Sequence, residues 1–304
     1  MYFLPKFRRG IFNRYRREMP VFEMFLKDMN HLGLRIKNKL KRGSASKTLL
    51  VYPHYPSRSS TIYKVGKALN YEITNNPKSN FDLAIYWEYL TYREEYHWLE
   101  KVAKEKRVVN LHSRDLSKVF TEKVTAEVFG YSTFVDPFTY EGKMVQKSNV
   151  NATHDGQVVE GPLKETEEGA IYQLLIDNSV ENELVMDIRV VVVNGVLDFV
   201  YLKYRNNWRR FKTTIKAEVK PSTEVFSEEE IRLMNELCEK VNLEYGELDV
   251  LRDKKSGRIY VIDISNTAQG PPNNISKEDF DFAVNAIARR FEEEFVLKNS
   301  KNNK

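Results

Sequence analysis

Two acids in one predicted hairpin offer the clearest chemistry in this chain. Asp249 lies in Gly246-Glu247-Leu248-Asp249-Val250-Leu251-Arg252 and Asp263 in the arm from Gly257 to Thr267, with Asp253-Lys254-Lys255-Ser256-Gly257 as turn residues between them. Pairing Arg252 with Arg258 makes residue numbers across the ladder sum to an even number. That puts Asp249 and Asp263 on one face as diagonal neighbours, roughly 7–8 Å apart at the backbone. Two carboxylates so placed repel unless a cation sits between them, and a hard divalent ion suits such oxygen donors. The plain alternative is the solvated face of a surface hairpin, and the hairpin alone does not choose. A second candidate is Arg189, inside the otherwise apolar run Val185 to Val193. A buried guanidinium needs a carboxylate or phosphate partner. Arg205, Arg209, Arg210, Lys212 and Lys216 follow closely. They read either as a solvated basic loop or as cations suited to a polyanionic ligand.

Covalent catalysis by the chain is not indicated. The single cysteine, Cys238, falls on the apolar stripe Ile231, Met234, Leu237, Cys238, Val241 of a helix opened by the capping box Ser227/Glu230, and the five histidines are scattered. One cysteine excludes a disulfide within the chain and points to a reducing compartment. The 304 residues, 41% hydrophobic and 30% charged, suit one large or two ordinary soluble domains. No apolar run approaches the ~20 residues of a membrane span, and the first residues lack the apolar core of a signal peptide, so a cytoplasmic protein is expected. The net charge of +5 is uneven: residues 1–46 hold twelve Lys/Arg against three acids, a local +9, which leaves the remainder at −4. Nucleic-acid binding by the whole chain therefore does not follow. The basic, aromatic segment 1–46, broken at Pro20, reads as an amphipathic extension that either packs on the protein itself or meets an anionic membrane surface or a partner protein.

The elements that must position these residues follow in order. Residues 47–110 read as a small α/β unit with a parallel sheet: Thr48–Tyr52, a helix carrying Ile62, Val65 and Leu69, then Tyr71–Thr74 and Phe81–Trp87. Arg58-Ser59-Ser60 before that helix reads as ordinary capping or a weak anion site. Ser117 caps a helix over Lys118–Phe129 that Gly130 ends, and strands are predicted at Ser132–Val135 and Lys143–Lys147. The polar stretch 148–156 is a hairpin loop or a lid. Ala170–Ile176 is a strand, and Asn194-Gly195 turns Val185–Val193 into Val196–Tyr204. Gly270 to Asn274 is a rigid turn, Asp279–Phe295 a closing helix, and residues 297–304 a disordered tail.

This order, with Asp187-Ile188-Arg189-Val190, Tyr172-Gln173-Leu174-Leu175-Ile176, and Asp249 followed by Val261-Ile262-Asp263-Ile264-Ser265-Asn266-Thr267, resembles the ATP-grasp superfamily over roughly Lys47 to Phe295. The resemblance implies an α/β (α+β) chain with a Rossmann-like lead domain at 47–110 and an ATP-grasp domain at 111–296, in two parts meeting near 175. It implies that Lys118 and Lys147 contact ATP phosphates beneath the 148–156 lid, and that Gln173, Leu175 and Ile176 flank adenine. Arg189, helped by Arg205 or Arg209, would steady phosphate or an acyl-phosphate, and Asp249 and Asp263 would bind Mg²⁺. The family usually has asparagine two residues after the second acid. Here Ser265 holds that place and Asn266 the next, so either is the neutral metal ligand. The implied reaction is ADP-forming: a carboxylate attacks the γ-phosphorus of ATP and an amine or similar nucleophile captures the acyl-phosphate. The alternatives are a small-molecule kinase and a nucleotide-binding module without turnover, tethered through residues 1–46. A homodimer is the default assembly.

Overall fold

The computed structural model describes residues 47–298 except 152, 154, 182, 212 and 213, together with Met29 and Ile36. The expectations for the extension 1–46, for Lys212 and for the tail past Lys298 lie outside the described residues. Among these residues no helix is long and apolar enough to cross a membrane. The chain divides into two compact units. The first holds residues 47–111 with 267–270 and 284–298, and the second holds 112–266 with 271–283.

The first unit is built on a parallel sheet of β1 (Thr48–Pro53), β2 (Glu72–Thr74), β3 (Leu83–Trp87) and β4 (Val108–Val109) in the order β2-β1-β3-β4. Leu49, Leu50, Val51 and all of Leu83–Trp87 are buried, as expected of strands covered on both faces. Parallel neighbours need crossovers, which α1 (Thr61–Ala68) and α2 (His97–Val102) provide. Gly66 lets α1 lie close to β2, since a Cβ there would meet Ile73 at 2.7 Å. The last turns of α6 (Lys277–Glu292) bury Ile287 and Phe291 in this unit, and the helical run continues through Leu297 and Lys298, two residues assigned to the tail from sequence.

The second unit has two antiparallel sheets. One is β6-β5-β7, with β5 Gly142–Ser148, β6 Gln157–Gly161 and β7 Ala170–Leu174. The other is β10-β9-β8-β11-β12: β8 Leu184–Val193, β9 Val196–Asn206, β10 Lys216–Pro221, β11 Tyr245–Arg252 and β12 Ile259–Ser265. Helices α3 (Lys118–Phe129) and α5 (Glu228–Lys240), with the short α4 (Ser222–Val225), back the larger sheet. Val124, Met234, Leu237 and Cys238 pack there on Ile188, Val190, Leu248, Val250, Val261 and Ile264. Ser117 accepts from the Phe120 amide at 3.3 Å, Gly130 ends α3 at φ 76°, and the Ser227/Glu230 capping box is formed. Asn194 and Gly195 both take positive φ, as a two-residue hairpin requires. The predicted strand Ser132–Val135 is only an isolated bridge, Phe134 to Gln173. The partner of β5 that sequence missed is the polar β6, whose weak apolar alternation hides it.

Candidate functional site

The larger sheet is apolar on its helix side and charged on the other. Cross-strand register places Arg189 beside Asp249 and Tyr201, Asp187 beside Lys203, and Glu247 beside Ser265. One face therefore carries Asp187, Arg189, Lys203, Arg205, Glu247, Asp249, Asp263 and Ser265, because alternate residues share a face.

The hairpin register differs from the even pairing expected from sequence. Arg252 pairs with Ile259 rather than Arg258, and a bulge between Asp249 and Val250 then shifts the ladder so that Asp249 stands directly opposite Asp263 instead of diagonally. Continued without the bulge, the turn-end register would set Asp249 against Ile262 and turn Asp263 into the core. The extra residue is Ile262. It lets Ile262 and Asp263 both face outward while Val261 and Ile264 stay buried in the core. The bulge also leaves the Ile262 carbonyl to accept from Lys147 Nζ at 3.1 Å.

Asp249 is tightly held. Arg189 donates from Nε to its Oδ1 at 3.0 Å and from NH2 to its Oδ2 at 3.1 Å, and Lys203, itself 2% exposed, donates to Oδ1 at 2.9 Å. The third side of Arg189 faces Glu247 at 3.4 Å. Burial opposes ionisation of Asp249, but Arg189 and Lys203 outweigh it and hold the carboxyl well below the usual range. Asp263 is the opposite case. Among the described residues its carboxylate makes no hydrogen bond or ion pair, and burial raises its pKa, against the pull of Lys118 and Lys147 and with a push from Asp249. Lys147 is brought down to about 8, chiefly by burial, with Asp263 opposing and Lys118 adding to the fall.

Helix α3 starts at Lys118, whose Nζ donates to the Val150 carbonyl at 3.0 Å and to Asn151 Oδ1 at 3.2 Å. Asn149 in turn accepts the Val119 amide at 2.9 Å, so the 148–156 loop is tied to the helix start at its base. Thr153, Asp155 and Gly156 of that loop line a cleft with Lys118, Lys147, Asp249 and Asp263; its other walls are Val145, Gln173–Ile176, Leu251 and Ile262, together with Asp187, Arg205, Arg210 and Phe211.

The structure thus brings Lys118, Lys147, Gln173, Leu175, Ile176, Arg205, Asp249 and Asp263 to one cleft. Arg189 stands behind Asp249 and does not line it. Arg209 stacks on the exposed Trp208, 4.4 Å from the ring centre, and does not line it either. Ser265 shares the face of Asp263, whereas Asn266 is buried and donates its amide to the Ser113 carbonyl and hydroxyl at 3.1 and 3.0 Å. Sequence reading raised Arg210 only within a basic cluster, as a cation for a polyanionic ligand, and gave no site role to Lys203, Glu247 or Asp187. Lys203 and Glu247 had a signal in strand parity, since each is two residues from an outward-facing charged position. It also missed Glu122, which accepts from Ser132, Thr133 and Gln173 and so fixes the Gln173 amide.

No three His, Cys, Asp or Glu side chains gather as a metal site among the described residues. The donor set nevertheless fits one hard cation bound with a phosphate ligand. Asp263 is an uncommitted carboxylate, Asp249 keeps one lone-pair direction, and ions of this kind take most of their ligands from phosphate and water.

No family model matches the chain, and no curated protein matches it. Solved structures do. The ATP-grasp ligase PsnB, in complex with precursor peptide PsnA2 and AMPPNP, matches with TM-score 0.53 and 12% identity, over 82% of this chain and 98% of its own. D-alanine–D-alanine ligase from Bacillus anthracis matches with TM-score 0.53 and 13% identity, over 84% and 98%. A second structure of that ligase, complexed with ATP, matches with the same TM-score at 12% identity. At these identities the likeness shows the fold alone: this chain has the ATP-grasp fold over nearly the whole length of both neighbours.

Proposed function

We propose that the protein is an ATP-dependent, ADP-forming ligase that activates a carboxylate as an acyl-phosphate for capture by an amine or similar nucleophile. The observation that carries this reading is the single cleft in which two lysines, two arginines and an unpaired aspartate meet beneath a polar loop. Lys118, Lys147 and Arg205 neutralise the phosphates, and the apolar wall from Leu174 to Ile176 takes the base. Asp263, with Ser265 beside it and Asp249 behind, would hold Mg²⁺, which supplies further charge neutralisation when bound. Asn266 donates from Nδ2 to Ser113, so its Oδ1 is the atom that would serve the cation. The substrate carboxylate oxygen bonds to the γ-phosphorus as the bond to the β-phosphate oxygen breaks and ADP leaves. The nucleophile then bonds to the acyl carbon, loses a proton and expels inorganic phosphate. Arg189 and Lys203 act by holding Asp249 ionised and fixed. No protein nucleophile takes part. Cys238 in particular is buried in the core, with its thiol pushed up to about 12 by burial.

In this reading residues 47–110 form a Rossmann-like lead domain and 111–296 the ATP-grasp domain. The protein is cytoplasmic and dimeric, and residues 1–46 provide a contact with an anionic membrane surface or a partner protein. The test is ADP release with a panel of acids and amines: turnover should need ATP, an acid and a nucleophile together, and Asp263→Asn should remove it. A phosphorylated product that survives hydroxylamine would select a kinase. A second reading, nucleotide binding without turnover, is favoured by Asp249, three of whose four lone-pair directions are taken by Arg189 and Lys203. ATP binding with no ADP formed across the panel would support it.

A further inference from the structure

We propose that Arg210 is a specificity-determining residue, its guanidinium donating a hydrogen bond to a ring nitrogen of the bound purine. The inference rests on the ATP reading above and deepens it. Arg210 lines the cleft beside Ile176 and Phe211, and one nitrogen makes all of its hydrogen bonds: NH2 donates to the Ile176 carbonyl at 2.9 Å and to Asn178 Oδ1 at 2.6 Å. Among the described residues its Nε and NH1 have no acceptor, and the group is in no ion pair. Asn178 is a firm anchor. It is buried, and its Nδ2 donates to the Met186 carbonyl and to Asp187 Oδ1, both at 3.0 Å, so its oxygen must face Arg210.

The guanidinium is therefore tethered by one nitrogen while the others keep three N–H donors and no acceptor. The cleft's other cations are differently placed. Arg205 is paired with Asp187, Lys147 is bound to the Ile262 carbonyl and Lys118 to the loop, and both lysines gather around Asp263. Arg210, which follows β9, is instead bonded to Ile176 and Asn178 just past β7, beside the apolar wall of Val145, Leu174, Leu175 and Ile176. That wall suits a flat ring. A ring bound there beside unspent donors is recognised by its edge acceptors, and a purine nucleoside presents N1, N3 and N7.

The test is calorimetric binding of ATP and of 1-deaza-, 3-deaza- and 7-deaza-ATP, with Mg²⁺, to the full chain and to Arg210→Ala and Arg210→Lys. In the parent protein one analogue should bind about tenfold more weakly than ATP, the size of a charge-assisted hydrogen bond. In Arg210→Ala that ratio should fall to about one, with Arg210→Lys in between. Deaza ratios unchanged by Arg210→Ala would overturn the inference. So would tighter binding of every nucleotide to that variant, the result for a side chain that only fills the slot. In both cases the ATP reading survives. A parent protein that binds neither ATP nor any analogue overturns the two together.

Discussion

Asp249 and Asp263 face one another across one ladder, yet their energetics are opposite. Asp249 is the counterion of the buried Lys203 and of the largely buried Arg189, so Asp249→Asn leaves both short of charge. Loss of about 3–5 kcal/mol in urea unfolding is expected, the usual result of breaking a buried pair. Asp263 has no such partner and its pKa is raised, so the folded state holds its proton more tightly than the unfolded one. Its contribution to stability declines as pH rises from the ordinary carboxylate range through the raised value. Asp263→Asn should therefore leave stability at neutral pH unchanged or higher while removing Mg²⁺-dependent nucleotide binding. Lys147 follows the same logic with the sign of a base. Its folded pKa of about 8 lies below the unfolded value of 10.5, so the unfolded state binds the extra proton between them and stability rises with pH across that window. Lys147→Met should stabilise the ligand-free protein at pH 7 by on the order of 1–2 kcal/mol. ATP affinity of the parent protein should fall as pH rises through about 8, measured by titration calorimetry at several pH values.

At the scale of elements, the site depends on how β12 closes against β11. The bulge at Ile262 turns Asp263 outward, and Gly246 lets the strand end approach. A Cβ at position 246 would collide with the Ser265 carbonyl and meet Leu243 at 2.8 Å. Gly246→Ala should thus cost about 1–3 kcal/mol in thermal or urea unfolding, as overpacking does, and weaken nucleotide binding by displacing Ser265 and Asp263. The bulge was partly legible. Val261 and Ile264 are both core residues three apart, a spacing that regular alternation cannot bury on one face. Reading the hairpin from its charged ends instead reached the shared face of the two aspartates through a register that the structure does not have.

At the scale of the molecule, a ligand that binds only the folded state stabilises it by mass action. ATP with Mg²⁺ at about a hundred times its dissociation constant should add about 2.7 kcal/mol, read as a rise in Tm. The Mg²⁺-dependent part of that rise should vanish in Asp263→Asn.

Elements set by local chemistry were written in the sequence. The capped helices at Ser117 and Ser227 and the Asn194-Gly195 hairpin depend on neighbours a few residues apart, and the parallel pairing of the first unit follows from its strand–helix–strand sequence. So did the need of Arg189 for an anionic partner, since a charge inside an apolar strand allows little else. What only the tertiary structure decided is which anion that is. Arg189 meets Asp249 across a ladder between residues sixty apart, Lys203 joins them from a third strand, and Asn266 turns to Ser113. Register and bulges are settled by packing summed over a whole sheet, where a one-residue slip exchanges every side chain between core and cleft.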